Sequence, residues 1–257
     1  MATRSPLKFI SLVFALSIPF YLAGALTSFR LVPGVSVSGL AVICPVAAAL
    51  ILVYQQNKFA GMVELLKRSF DFKRVRARVW YLPIFLLMPA LDVLMYTVLR
   101  SRRIQVPLPQ FPVVETLALA VGFFVGALGE ELGWSGYAID PLQDRWGAIQ
   151  ASLLLGIVWA IWHIVPLMQV HRPAAWIAWW CLGTVAARVL IVWLYNNTGK
   201  SVFVAAVFHA MMNLSWQLFP IHGSYFDEPV NSLLMVLAAA FVIVVLGRSR
   251  LTRQKSA

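Results

Sequence analysis

Apolar stretches of about twenty residues recur along this chain, separated by short segments where Trp, Tyr and basic residues gather. An α-helix rises about 1.5 Å per residue, so each stretch matches the roughly 30 Å hydrocarbon thickness of a bilayer. The pattern predicts eight spanning helices, over residues 7–26, 37–54, 80–99, 117–139, 149–168, 174–195, 201–219 and 230–246. Lipid offers backbone polar groups no partners, and nothing in the chain alternates polarity as barrel strands do, so helices are the expected spanning element. No repeat, low-complexity tract or second domain interrupts the series. Residues 1–257 therefore read as a single integral membrane domain with an all-α, polytopic bundle fold.

Composition agrees with the pattern. Apolar residues make up 61% of the chain and charged residues 12%, with a mean hydropathy of +0.80. An ordinary soluble domain is only about 45–50% apolar. The net charge of +11 is carried by bases at predicted helix ends. No aromatic–basic groove or Gly-rich phosphate loop accompanies them, so the expected partner is the bilayer and not nucleic acid. Fifteen bases fall on one set of alternate loops and five on the other, which orients both termini to the cytoplasm of a plasma membrane, read here as a bacterial inner membrane. The basic run over residues 67–78 is expected to rest on anionic headgroups and perform no chemistry. The first span, ending in Ala23-Gly24-Ala25, resembles a secretory signal but is long enough to remain as an uncleaved helix. Nothing in the pattern sets an oligomeric state.

Several other residue types read as structural. Cys44 and Cys181 lie in different spans without metal-type spacing and are expected as small core residues. Trp80, Trp146 and Trp176 sit near membrane faces, where amphipathic rings belong, and Trp179 and Trp180 are expected to pack. His171, His222, Asp227 and Glu228 fall in predicted outer loops.

Three polar clusters remain inside apolar spans: Glu130-Glu131, Trp159 to His163, and His209 to Asn213. A charged side chain at such depth costs on the order of 3 kcal/mol, so it is retained for a reason. If Asp140-Pro141 ends the fourth helix, Glu130 lies nine residues, or roughly 13 Å, from the inner face. His209 is nine residues past Lys200, at the same estimated depth, and Asn213 follows one turn later on the same side. His163 comes out somewhat deeper, at roughly 20 Å from Ile149. Successive carboxylates point about 100° apart around a helix, so one of the pair should face a cavity and the other a neighbouring helix.

A carboxylate and a neutral imidazole can take a proton from water and return it to a leaving amine, and Glu130 and His163 suit that task. An imidazole N–H and an amide N–H one turn apart, from His209 and Asn213, suit the oxyanion that forms when a peptide carbonyl is attacked. Glu130, His163 and His209 also have the donor types to hold Zn²⁺ with one position open for water, although no His-Glu-x-x-His segment is present.

The three clusters, in this order, resemble the CAAX prenyl endopeptidase and Abi group of intramembrane proteases, the CPBP family. That family's Glu-Glu-x-x-x-Arg, Phe-x-x-x-His and His-x-x-x-Asn motifs are answered by Glu130 to Ser135, Trp159 to His163 and His209 to Asn213, and the likeness covers residues 117–219. The resemblance implies an intramembrane endopeptidase acting on a membrane-associated or lipidated protein or peptide. Glu130 and His163 would activate water, with His209 and Asn213 supporting the oxyanion. It leaves a glutamate-type mechanism without cofactor and a zinc-dependent one both open, with the former preferred.

Two positions depart from the family pattern. Trp159 stands for Phe, keeps an aromatic ring, and is expected to be benign. Ser135 stands for Arg, which leaves Glu131 without its usual counter-ion. Arg188, about seven residues or roughly 10 Å from the inner end of the sixth span, is the expected substitute. Asp92 is its alternative partner, and snorkelling to the inner face is the bland reading. The competing functional readings are a catalytically inactive relative acting as a membrane binding or immunity protein, and a proton-coupled transporter, which the absence of paired broken helices disfavours.

Overall fold

The structure, a computed structural model, describes residues 4–106, 108, 111–218 and 227–245. His222 and the bases from Arg248 onward lie outside the described residues. Eight α-helices follow one another among the described residues, and each overlaps its predicted span, although α2 starts six residues later and ends thirteen later than expected and α5 starts ten earlier: α1 Pro6–Ala25, α2 Ile43–Lys67, α3 Tyr81–Ser101, α4 Val113–Gly133, α5 Ile139–Gln169, α6 Ala174–Asn197, α7 Val202–Leu218 and α8 Glu228–Val245. A short antiparallel hairpin, β1 Arg30–Val32 and β2 Val35–Ser36, joins α1 to a 3₁₀ segment, Val37–Val42, that leads into α2. Five stretches are long and apolar enough to cross a membrane, one of them the 57-residue run Val113–Gln169, which contains two predicted spans. Val202–Leu218 and Glu228–Val244 are apolar but shorter.

The stop expected at Asp140-Pro141 is not where the chain turns. A π-helical turn, Trp134–Ala138, carries α4 straight into α5, and Pro141 is the third residue of α5. In that continuous helix proline's missing N–H removes a backbone bond, and side chains meet the carbonyls instead. The reversal comes at Gly147, whose φ of 78° is a left-handed conformation that only a residue without Cβ adopts freely.

Pro141 also leaves backbone carbonyls of the π-turn without an amide partner, and arginines take the oxygen of Gly136. Arg4 Nη1 and Arg68 Nη1 both donate to it at 3.0 Å. Arg68 Nη2 donates further to the Tyr195 hydroxyl at 3.0 Å and to the Lys200 carbonyl at 2.6 Å, and Lys200 Nζ pairs with Asp140 at 3.0 Å. Asp71 meets the start of α7, accepting from Ser201 Oγ at 2.6 Å and from the Phe203 amide at 3.1 Å. A carboxylate is stabilised at a helix N-terminus. The basic stretch thus has a structural task, because Arg68, just past α2, ties α6 and the start of α7 to the π-turn beside Glu131.

At the opposite end Arg30 donates to the Gln169 carbonyl at 2.9 Å, tying the hairpin to the end of α5. Midway, Pro166 frees the carbonyl of Trp162 four residues back, and the Tyr21 hydroxyl donates to it at 2.6 Å. Trp162 Nε1 in turn donates to Ser17 Oγ at 2.8 Å, so α1 is an integral wall of the bundle.

Replacing Arg68 with Ala removes three charge-assisted bonds at once, each worth about 1.5–3 kcal/mol. We expect R68A to lower the thermal unfolding midpoint in detergent markedly, whereas K8A, on an exposed side chain, leaves it unchanged. Equal midpoints for both variants would contradict the clamp.

Candidate active site

Close helix contact sets the site. Gly129 and Gly133 of α4 lie against the carbonyls of Val42 and Pro45, where a Cβ would come within 2.7 and 2.6 Å. Glycine alone permits that approach, and it sinks the intervening pair: Glu130 is 3% exposed and Glu131 fully buried. α7 packs on the other side of α4 and brings His209, 2% exposed, between the two acids.

Both carboxylates reach the same imidazole, although they leave the helix in different directions. His209 Nδ1 is 3.1 Å from Glu131 Oε1, and Nε2 is 3.9 Å from Glu130 Oε1. The ring has a nitrogen for each direction, so the angular argument for separate targets fails here. The rest of that expectation holds: Glu130 lines a cavity, and Glu131 faces neighbouring helices. Because a carboxylate only accepts, Nδ1 carries a proton toward Glu131, and Nε2 donates only when the ring holds a second proton.

The ion pair expected between Arg188 and Glu131 is present. Arg188 Nη1 lies 2.8 Å from Glu131 Oε2, both side chains are fully buried, and the Ser135 hydroxyl donates to the same oxygen. Ser135 therefore occupies the place of the family's arginine as a hydrogen-bond donor while the charge comes from α6. Snorkelling is excluded by the burial of Arg188, and Asp92, buried on α3, forms no salt bridge with it.

Trp159 is more than an aromatic filler. Its indole Nε1 donates to Glu130 Oε2 at 2.6 Å, a bond Phe cannot make. Arg188 lies over the same ring at 4.1 Å from its centre, and His209 stands edge-on at 5.0 Å. One indole thus links Glu130 to the guanidinium that neutralises Glu131. With Oε2 engaged, Glu130 keeps Oε1 for another partner.

His163 is partly exposed and lines the same cavity. Its Nδ1 lies 2.9 Å from the Trp159 carbonyl, which can only accept, so Nε2 is the open nitrogen. Trp180, expected merely to pack, lies 5.0 Å from the His163 ring and lines the cavity. Asn213 lines it too, one turn beyond His209. The cavity holds about 250 Å³, and five of the chain's ten tryptophans border it: Trp159, Trp162, Trp176, Trp180 and Trp216. Trp176, expected at a membrane face, lines the cavity. The structure brings all six named residues into one neighbourhood, with Glu130, His163, His209 and Asn213 on the cavity and Glu131 and Arg188 behind them. Among the described residues no three His, Cys, Asp or Glu groups converge as a metal ligand set.

Residues 112–215 match the model of a protein family described as type II CAAX prenyl endopeptidase Rce1-like. A protein of Methanococcus maripaludis called CAAX prenyl protease 2 is 28% identical over 223 residues, covering 78% of each chain. Both comparisons bear out the resemblance carried by the three motifs, and the apolar helices mark the chain as a multi-pass membrane protein.

Removing one partner of a buried ion pair strands the other and costs on the order of 3–5 kcal/mol, whereas removing both can be nearly neutral. R188M and E131Q alone should each lower the unfolding midpoint in detergent, and the double variant should recover most of that loss. Additive losses would show that the two side chains do not stabilise one another.

Proposed function

We propose, from the match to the CAAX prenyl endopeptidase family, that this protein hydrolyses a peptide bond near the end of a lipidated, membrane-associated polypeptide in a plasma membrane. The archaeal source of the relative removes the ground for reading the chain as bacterial. The observation that carries the reading is Glu130, buried on the cavity wall with one oxygen held by an indole N–H and the other open.

In this reading Glu130 Oε1 accepts a proton from a water molecule in the cavity, and the resulting hydroxide attacks the scissile carbonyl. His163 Nε2 accepts a hydrogen bond from that water, and the proton that Glu130 took up is returned to the departing amine. Charge gathers on the carbonyl oxygen as the tetrahedral intermediate forms. Asn213 Nδ2 and a doubly protonated His209 donate to that oxygen, in a site where little water competes. Glu131 and Arg188 support this chemistry without touching the substrate: Glu131 fixes the His209 ring through Nδ1, and Arg188 balances its charge. We propose the glutamate type of mechanism, because Glu130 lies buried on the cavity wall with one oxygen held by the Trp159 indole and the other placed to take a proton from water. The charge that Ser135 lacks is supplied by Arg188, which supports an active protease over an inactive relative.

E130A should abolish cleavage of a prenylated peptide by the purified protein, with the folded state retained in a thermal unfolding assay. W159F should lower kcat about tenfold, the equivalent of one hydrogen bond to a charged group. Activity that vanishes with a chelator and returns with zinc would replace the glutamate mechanism with a metal-dependent one. An E130A protein that still binds substrate, beside a wild type that never cuts it, would favour the binding-protein reading.

A further inference from the structure

α2 is longer than its passage through lipid requires. Residues 37–70 make one apolar stretch of 34 residues, against about 20 for a span. The helix breaks at Lys58, where φ is 54° in a residue that carries a Cβ. Beyond the break, residues 59–67 lead into three 3₁₀ turns, Arg68–Phe70, Phe72–Arg74 and Arg78–Trp80. These turns lie at the end of the bundle where α7 begins. Arg68 donates to the Lys200 carbonyl, Arg74 to the Gly199 carbonyl at 3.3 Å, and Asp71 accepts from Ser201 and Phe203.

The outer face of residues 59–79 mixes two kinds of side chain. Phe59, Leu66, Phe70, Phe72 and Val79 are exposed there, beside the exposed bases Lys67, Lys73, Arg74, Arg76 and Arg78. No hydrogen bond or ion pair to a described residue engages Lys73, Arg76 or Arg78. Of the two acids in the segment, Glu64 is exposed and Asp71 turns inward to α7, so the outer charge is strongly positive. Apolar rings set among bases suit headgroup level, where the rings enter the acyl boundary and the basic side chains reach phosphate. A soluble acidic partner would leave Phe59 and Phe70 in water, whereas an anionic lipid surface takes up rings and charges together.

The inner face of the same segment is wired to the site. Phe70 and Phe72 rest on Phe203 of α7, with ring centres 6.5 and 5.9 Å apart. Asp71 caps the start of α7, and Arg68 Nη1 holds the Gly136 carbonyl next to Ser135. His209 lies six residues beyond Phe203 on α7, a rise of roughly 9 Å. Ser135 and His209 both donate to Glu131, so whatever steadies the segment steadies two of the contacts that hold the buried acid.

We propose that residues 59–79 dock on anionic phospholipid, and that this docking steadies the start of α7 through Asp71 and, with it, His209 beside Glu131. The effect on turnover rests on the endopeptidase reading above; the docking and the steadying of α7 do not.

The test places the full-length protein in nanodiscs of phosphatidylcholine, with or without phosphatidylglycerol, and follows amide hydrogen exchange by mass spectrometry. In the wild type, phosphatidylglycerol should slow exchange over residues 59–79 and 201–209 by about fivefold or more, the lower end of ordinary coupling between sites. K73Q/R76Q/R78Q should lose both effects while matching the wild type in phosphatidylcholine alone. D71N should keep the slowing over 59–79 and lose it over 201–209. Exchange that is the same in both lipids, or that slows equally in the triple variant, would overturn the docking, and slowing over 201–209 that survives in D71N would overturn the path through Asp71. With an uncharged prenylated peptide, kcat should rise alongside the slowing and KM should stay unchanged; a kcat indifferent to lipid would remove the link to turnover. If exchange responds as stated and no peptide is cut in either lipid, the docking stands and the endopeptidase reading falls.

Discussion

The fully buried ion pair between Glu131 and Arg188 constrains everything around it. Two charges removed from water must find each other with good geometry, because neither helix can expose its charge without coming apart from the bundle. The Glu131 carboxylate collects three donors from three helical segments: Arg188 from α6, Ser135 from the π-turn and His209 from α7. Those contacts fix the relative positions of the segments that build the cavity. A carboxylate satisfied in this way also holds the His209 ring in a set orientation, which is what a group facing a reacting oxygen requires.

The backbone makes the ion pair possible. Glycines at 129 and 133 let α4 approach α2 closely enough to bury the acids, and the π-turn after α4 brings Ser135 back onto Glu131. Such a turn widens the helix and leaves carbonyls seeking partners, which Arg4 and Arg68 supply at Gly136. Arg68 reaches further to the ends of α6 and α7, so the loop clamp and the buried acid pair belong to one continuous polar network.

The helices were legible in the sequence because each is a local pattern of apolar residues long enough to span lipid. The residues that share the cavity were legible for the same reason in reverse: Glu130, His163, His209 and Asn213 interrupt that pattern where interruption is costly. Arg188 could be matched to Glu131 by counting helix turns, since depth is nearly one-dimensional in a bundle. What could not be read were contacts that depend on azimuth and on segments far apart in the chain. The indole of Trp159 can reach Glu130 only because α4 and α5 meet at a particular rotation, and nothing local distinguishes a tryptophan facing a carboxylate from one facing lipid. Arg68 looked like one base among many because its acceptors are more than sixty residues away. Pro141 misled for a related reason, since its effect depends on the π-turn before it, which has no simple sequence signature.

The departures at 135 and 159 make sense together. A family arginine at position 135 would reach Glu131 from within its own helix, one turn along. Here the hydroxyl of Ser135 takes that short path, and the longer side chain of Arg188 crosses from α6 to the same oxygen. A guanidinium arriving from that direction presents its flat face to the ring at position 159, and an indole offers a larger face to a cation than a phenyl ring does. The same indole brings an N–H that a phenyl ring lacks, and it is spent on Glu130. Moving the positive charge to another helix thus goes with a larger aromatic between the guanidinium and the cavity-facing acid, and the acid pair keeps both a balanced charge and a fixed orientation. The constraint acts on the charge and the donors that surround Glu131, not on the helix that contributes them.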